Sequence, residues 1–139
     1  MQTSSKKLIF SFLIIIPIII LDQTSKLIVL ASKVPTFCNT GFAFGIYQGV
    51  LNGLVAFLVL VALILAFYRE QKRTVYYSLA LIMGGGASNI LDRLTRGCVI
   101  DFIDLKIWPS FNLADAAITI GTAILILSIA LEMKAYQKH

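Results

Sequence analysis

Four apolar runs constrain the fold of this chain more than any other feature. They cover residues of about 8–31, 50–68, 75–91 and 113–133. A helix needs about 20 residues, within a range of roughly 17–25, to cross the hydrocarbon core of a bilayer. Each run is long enough for one crossing. The runs therefore predict an all-α integral membrane protein, a single domain over 1–139 with four transmembrane helices.

The composition also indicates a membrane protein. Hydrophobic residues make up 58% of the chain and charged residues only 14%, with a mean hydropathy of +0.88. A soluble domain of this size needs more polar surface, because much of it faces water. The net charge of +5 would suit nucleic acid. However, the basic residues flank the apolar runs and form no aromatic-basic surface, so no nucleic-acid partner is expected.

The positions of lysine and arginine predict how the apolar runs are oriented across the membrane. Seven of the 12 basic residues flank them on one side: Lys6, Lys7, Arg69, Lys72, Arg73, Lys134 and Lys138. By the positive-inside rule this side is the cytoplasm. Both termini and the loop of about 69–74 are then cytoplasmic, and the segments of about 32–49 and 92–112 lie outside. The first run could instead be a cleaved signal peptide, but no A-x-A site closes it.

The seven acidic residues divide between the two sides. Glu70 and Glu132 lie at predicted cytoplasmic ends. Five aspartates lie at or near the outer ends of the runs: Asp22, Asp92, Asp101, Asp104 and Asp115. An aspartate at the centre of a membrane helix costs about 2.5–3.5 kcal/mol on insertion scales, so such residues usually have a partner or a task.

Two of these aspartates have a basic residue one helical turn away. Asp22 and Lys26 are spaced i,i+4 on the first predicted helix, and Asp92 and Arg96 have the same spacing. Residues with this spacing are neighbours on a helix surface. A structural ion pair is therefore an alternative to a functional role for both.

Asp101 differs from the other aspartates. If 99–107 is extended, Asp101 is the only charge on an otherwise apolar face, whereas Asp104 shares the opposite face with Lys106. A carboxylate in apolar surroundings has a raised pKa and is a candidate functional group. This segment also predicts a small extended or β element on the outer face.

Asp115 follows Asn112 by three residues at the start of the fourth run. The two match a capping box, which is the structural alternative for both. The positive end of the helix also favours a charged carboxylate at Asp115. Two neighbouring carboxylates do not easily both ionise, so Asp101 and Asp115 would share a proton and together could activate a water molecule.

Histidine and cysteine limit the remaining chemistry. The single histidine, His139, is the last residue, so neither a histidine base nor a His-ligated metal site is expected. Cys38 and Cys98 form no CxxC motif. Both lie in predicted outer segments and could pair in an oxidising compartment, but we expect two free thiols.

Four segments together resemble the lipoprotein signal peptidase (signal peptidase II) family. They are residues 22–26, 39–45, 85–93 continued by 97–104, and 111–115. They occur in the family's order and positions relative to the spans, and the resemblance covers nearly the whole chain. Two departures are notable. Ser88 stands where the family usually has glycine, and the stretch from Lys26 to Asn39 is shorter than is typical.

The resemblance implies an aspartic endopeptidase of the bacterial inner membrane that cuts prolipoproteins before the diacylglyceryl-modified cysteine. It implies no cofactor, an active site toward the outer face, and a lipidated prolipoprotein and membrane lipid as partners; we expect a monomer. The catalytic pair falls on Asp101 and Asp115. Positions that support the site or bind substrate fall on Asp22, Lys26, Asn39, Gly41, Asn89, Arg93 and Asn112.

Three glycines, Gly41, Gly85 and Gly86, are expected to allow close backbone approach. Arg93 and Asn112 are expected nearest the chemistry.

Other functions fit parts of the sequence. A four-span transporter would hold its aspartates near the middle of the bilayer, whereas these crowd one side. A Ser/Lys peptidase would use Ser25 or Ser88 with Lys26, although adjacent Ser25 and Lys26 side chains diverge on a helix. An inactive family member that only binds lipoproteins is a third alternative.

Overall fold

The computed structural model describes residues 2–41 and 72–137 with the isolated positions 59 and 62, and the side chains from residue 12 onward within those ranges. The described elements are α1 (Gln2–Ala31), β1 (Phe37–Asn39), α2 (Arg73–Arg96), β2 (Val99–Asp101) and α3 (Leu113–Tyr136). The mostly helical architecture with a small sheet agrees with the sequence. Apart from positions 59 and 62, the predicted second run at 50–68 lies outside the described residues.

Helix boundaries follow from local backbone chemistry. Gly97 ends α2 with a φ of 77° and donates its N–H to the Arg93 carbonyl over 3.2 Å. Glycine adopts this left-handed conformation without a Cβ clash. After α1, Lys33 takes the same conformation with a φ of 55°, and Val34 N–H reaches back to the Val29 carbonyl. After each of these two helices the chain turns into a short strand.

The strands lie at one end of the helices, here called the sheet end. The C-terminus of α1 leads to β1, and the C-terminus of α2 leads through β2 to the N-terminus of α3. The strands pair antiparallel, with Phe37 opposite Asp101 and Asn39 opposite Val99. All five aspartates therefore lie toward the sheet end, whereas Glu132 lies near the other end of α3, as the sequence predicts.

The strand expected over 99–107 is shorter in the structure. β2 ends at Asp101, and Ile103 forms an isolated bridge to Phe111. Between them the chain turns at Lys106, which has a φ of 64°. The prediction of one continuous strand is wrong because this pairing with Phe111 closes a loop, in which Ile107 is 91% exposed.

Burial in the structure is inverted relative to a soluble protein. Fully buried side chains include charged and polar ones: Asp22, Lys26, Ser78, Ser88, Asp92 and Asn112. Large apolar side chains of α1 and α3 are exposed instead, and the buried apolar cluster among the described residues centres on Tyr76, Leu79 and Ala80. Among the described residues, Phe12–Ala31 and Leu113–Tyr136 are long and apolar enough to cross a membrane. Such surfaces suit contact with lipid.

Glycines let α2 approach its neighbours. A Cβ on Gly85 would lie 2.3 Å from the Ala114 carbonyl oxygen, so the predicted close approach is confirmed there. A Cβ on Gly84 would lie 3.1 Å from Ile18 on α1. At Gly86 no described atom lies within 4 Å of such a Cβ, so close approach at this position stays a prediction.

Cys38 and Cys98 form a disulfide in the structure, between residues 60 positions apart. The expectation of two free thiols is therefore wrong. The strand pairing explains why. Cys38 lies opposite Ile100, two residues after Cys98 on the same strand face, and such diagonal neighbours are within reach of one another.

Candidate active site

Asp101 ends β2 and is buried, with only 2% of its surface exposed. Its Oδ1 accepts a hydrogen bond from Asn112 Nδ2 over 2.7 Å, and its Oδ2 accepts one from Asn39 Nδ2 over 3.1 Å. Both donors are neutral amides. Among the described residues Asp101 forms no ion pair, as the sequence predicts for a charge on an apolar face.

The surroundings of Asp101 favour its neutral form. Burial, the largest cause, together with the nearby carboxylate of Asp115, raises the pKa of Asp101 to about 6, against the opposing hydrogen bonds from Asn39 and Asn112. A carboxyl group with such a pKa can exchange a proton near neutral pH.

Asp115 lies in the first turn of α3 and forms the predicted capping box with Asn112. Asn112 Oδ1 accepts from the Asp115 N–H over 2.8 Å, and Asp115 Oδ2 accepts from the Asn112 N–H over 3.3 Å. Asp115 Oδ1 accepts a further bond from Asn89 Nδ2 over 2.7 Å. Capping is therefore confirmed, and it does not exclude catalysis, because the same geometry fixes a carboxylate at a positive helix end.

Two asparagines connect the carboxyl groups. Asn112 Nδ2 donates to Asp101 and, over 3.3 Å, to Asn89 Oδ1. Asn89 in turn donates to Asp115. A continuous chain of amides thus joins Asp101 to Asp115. The structure also adds Asn39 of β1 to this group, although Asn39 lies 62 residues before Asp101 in the sequence.

Beneath this chain lies a buried ionic cluster of Lys26, Asp22 and Asp92. Lys26 Nζ lies 2.6 Å from Asp22 Oδ2 and 2.8 Å from Asp92 Oδ2, with all three side chains fully buried. Asp92 also pairs with Arg96. Both predicted i,i+4 pairs are confirmed, and the pairing of Lys26 with Asp92 is additional.

Each aspartate of the cluster holds the backbone beside a candidate catalytic residue. Asp22 Oδ1 accepts from the Ala114 N–H over 3.0 Å, directly before Asp115. Asp92 Oδ2 accepts from the Ile100 N–H over 3.1 Å, directly before Asp101. Lys26 Nζ also donates to Asn89 Oδ1 over 3.4 Å. One ammonium group therefore links the supports of both carboxyl groups.

Gln23 and Ser88 also belong to this network, although neither was predicted as a supporting residue. Ser88 Oγ donates to Asp22 Oδ2 over 2.7 Å, and Gln23 Nε2 donates to Asp92 Oδ1 over 2.9 Å and to Ser88 Oγ over 3.0 Å. Arg96 donates to Gln23 Oε1 over 2.8 Å. Two features of the sequence could have indicated this role. Polar residues interrupt the apolar run beside Asp22, and Ser88 stands where the resembled family usually has glycine.

Arg93 and Gly41 secure the segment that follows β1. Arg93 Nη2 donates to the Gly41 carbonyl over 2.8 Å, and Nη1 donates to the Asn89 carbonyl over 3.3 Å. Gly41 N–H donates to Asn39 Oδ1 over 3.0 Å. Both sites of the Asn39 amide are therefore engaged, one with Gly41 and the other with Asp101.

Asp104 stands apart from the site. It forms the predicted pair with Lys106, over 2.6 Å on an exposed loop, and this pair lowers the pKa of Asp104. No group of metal-ligating residues occurs within the described part of the chain.

The serines of the Ser/Lys alternative have other partners. Ser25 Oγ donates to the Asp22 carbonyl over 2.8 Å, and Ser88 donates to the Asp22 side chain. Lys26 contacts two carboxylates. This arrangement does not build a serine nucleophile with a lysine base.

Comparison with known proteins decides the family. A family model described as signal peptidase (SPase) II matches residues 14–131. The chain belongs to the signal peptidase II family. It is therefore a protease, and the predicted family resemblance is confirmed.

Two relatives, both lipoprotein signal peptidases, match this chain along most of their length. The lipoprotein signal peptidase of Syntrophomonas wolfei is 38% identical, covering 93% of this chain and 96% of the relative. That of Halothermothrix orenii is 36% identical, covering 84% of this chain and 92% of the relative.

A solved structure described as a bacterial membrane enzyme is similar with a TM-score of 0.82 at 27% identity, covering 89% of each chain. A second, described in the same words, has a TM-score of 0.77 at 27% identity and covers 86% of this chain and 92% of its own. The signal peptidase II fold seen here, with its exposed apolar helices, is thus that of a membrane-embedded protease.

Proposed function

We propose that this signal peptidase II removes the signal peptide from prolipoproteins with Asp101 and Asp115 as its catalytic pair. Cleavage falls just before the diacylglyceryl-modified cysteine. Family membership makes the chain a peptidase of lipoprotein precursors. One observation carries the choice of the pair. Among the described aspartates, Asp101 and Asp115 accept bonds from the shared neutral Asn112, whereas Asp22, Asp92 and Asp104 are each paired with a cation.

The reaction is hydrolysis of one peptide bond by a water molecule held between the two carboxyl groups. Asp115 acts as general base and takes a proton from the water as its oxygen attacks the scissile carbonyl carbon. Asp101, protonated, donates a hydrogen bond to the carbonyl oxygen. When the tetrahedral intermediate collapses, the C–N bond breaks and the leaving amine takes the proton held by Asp115. The products are the signal peptide and the lipoprotein with a free cysteine amine.

The two roles follow from the surroundings of each group. Burial raises the pKa of Asp101, which suits the protonated partner. Asp115 accepts two hydrogen bonds in the first turn of α3, where the helix end favours negative charge. Asp115 is therefore assigned as the ionised base of the resting enzyme.

The proposed arrangement in the bacterial inner membrane has four transmembrane helices, including the run at 50–68. Both termini are cytoplasmic and the sheet end faces outward, because seven basic residues flank the opposite side. The enzyme acts as a monomer without a cofactor. Exported precursors then meet the active site on the side where they emerge, and their acyl chains pack on exposed apolar helix faces.

Complementation of a strain depleted of its signal peptidase II tests the proposal. Wild-type protein and the Asp104→Asn variant should restore prolipoprotein processing, since Asp104 contacts only its loop partner among the described groups. Asp101→Asn and Asp115→Asn should insert but leave the precursor uncut. Normal processing by both variants would contradict the catalytic pair.

A further inference from the structure

We infer that the Cys38–Cys98 disulfide is a positioning device of the active site, which holds β1 on β2 so that Asn39 keeps its hydrogen bond to Asp101. The inference rests on the proposed catalytic role of Asp101. Neither cysteine contacts the reacting groups. The disulfide acts through Asn39, the neighbour of Cys38 in β1.

β1 is weakly held by the sheet itself. It has three residues, of which Phe37 is 54% exposed and Cys38 is also exposed, and among the described residues it pairs with β2 alone. Two-stranded ribbons are only marginally stable on their own. The disulfide closes a sequence separation of 60 residues, so it lowers the entropic cost of bringing the two strands together.

The disulfide and the Asn39–Asp101 hydrogen bond lie on opposite faces of the ribbon. Side chains alternate between faces along a strand, so Cys38 and Asn39 point to opposite sides. Cys38 is diagonal to Cys98 on one face, and Asn39 is diagonal to Asp101 on the other. Because Cys38 and Asn39 are adjacent, the disulfide between Cys38 and Cys98 also holds Asn39 in position beside Asp101.

β2 has stronger anchors than β1. Its residues are buried, and the Ile100 N–H donates to Asp92 of the ionic cluster. β1 is joined to the rest of the site through Asn39 and the Gly41 contacts with Arg93. When the disulfide opens, β1 is therefore the strand that moves, and Asp101 loses the Asn39 donor while keeping Asn112.

Loss of the Asn39 donor has a measurable electrostatic consequence. That hydrogen bond favours the charged form of Asp101, so its loss raises the pKa of Asp101 further. The charged groups that face Asp101 come from the other elements: Asp115 from α3, Lys26 from α1 and Arg93 from α2. None of these three lies on β1, the strand that the disulfide holds.

The test compares kcat/KM against pH for the purified full-length enzyme before and after dithiothreitol treatment. The reagent is oxidised to its cyclic disulfide as the S–S bond breaks and each cysteine sulfur gains one electron and one proton. Mass analysis after alkylation verifies that the bond has opened. The Cys38→Ala/Cys98→Ala variant, treated in the same way, controls for other effects of the reagent.

Reduction should lower the maximum kcat/KM several-fold and move the alkaline limb of the profile to higher pH. Asn39→Ala should do the same, and reduction of Asn39→Ala should add little, because both changes remove one interaction. If the disulfide only stabilised the fold, reduction would lower the amount of folded enzyme without moving the alkaline limb of the pH profile.

An unchanged profile on reduction, or a loss that adds fully to that of Asn39→Ala, would overturn the inference. If the double cysteine variant does not fold, reduction of the wild type still decides the question. Failure of the proposed function is recognised separately, since Asp101→Asn would then remain active whatever the disulfide does.

Discussion

The side chain of Asp22 on α1 accepts a hydrogen bond from the backbone N–H of Ala114 on α3, over 3.0 Å. The N–H groups of a first helical turn have no partner within their own helix. Asp22 therefore caps α3 from another helix, one residue before Asp115. The same carboxylate contacts Lys26 and Ser88, so the position of Asp115 depends on a buried charge of α1.

Replacing Lys26 by methionine should unfold the sheet end. The change leaves Asp22 and Asp92 buried without their shared ammonium partner, which costs about 3–5 kcal/mol when such a pair is broken. Thermal unfolding in detergent should show a large loss of stability together with loss of processing. Lys72→Met is the matched control, because its pair with Glu132 is exposed and worth at most about 1 kcal/mol. Equal stability of the two variants would contradict the role of the cluster.

Gly85→Ala should separate the N-terminus of α3 from α2. The added methyl would meet the Ala114 carbonyl at 2.3 Å, and overpacking of this kind costs about 1–3 kcal/mol. Because Ala114 adjoins Asp115, kcat should fall as well. The added methyl of Gly86→Ala meets no described residue within 4 Å, so this variant should cost less stability than Gly85→Ala. Thermal unfolding and a processing assay on both variants check this, and similar losses in the two would oppose it.

The pH dependence of kcat/KM should reflect the raised pKa of Asp101. The group is neutral below its pKa of about 6 and charged above it. Because the mechanism needs the neutral form, kcat/KM should fall as pH rises through this value, approaching tenfold per unit. The profile of Asp104→Asn should be the same as that of the wild type. An activity that climbs steadily between pH 6 and 8 would contradict the assignment of Asp101 as the acid.

The sequence predicted the parts of the site whose partners are near in the chain. The pairs Asp22–Lys26 and Asp104–Lys106 and the capping of α3 by Asn112 all depend on spacings of two to four residues. Helix geometry or a short loop fixes such contacts in advance. The sequence also singled out Asp101 because no cation lies near it along the chain.

Long-range contacts could not be read from the sequence in the same way. The Lys26–Asp92 pair and the hydrogen bond from Asn39 to Asp101 join residues on different elements. They depend on how helices pack and on which strand pairs with β2. The disulfide was missed for the same reason, since only the register of β1 and β2 brings Cys38 beside Cys98.

The central claim is that Asp101 and Asp115 act together as one catalytic unit. Single-turnover cleavage of a lipidated prolipoprotein by purified enzyme tests it most directly, with Asp101→Asn, Asp115→Asn, the double variant and Asp104→Asn, all verified as folded and substrate-binding. Each single variant should lose activity by on the order of 10⁴-fold, and the double variant should lose little more, because groups that act as a unit are not additive. Asp104→Asn should match the wild type. Substantial cleavage by either single variant would contradict the claim.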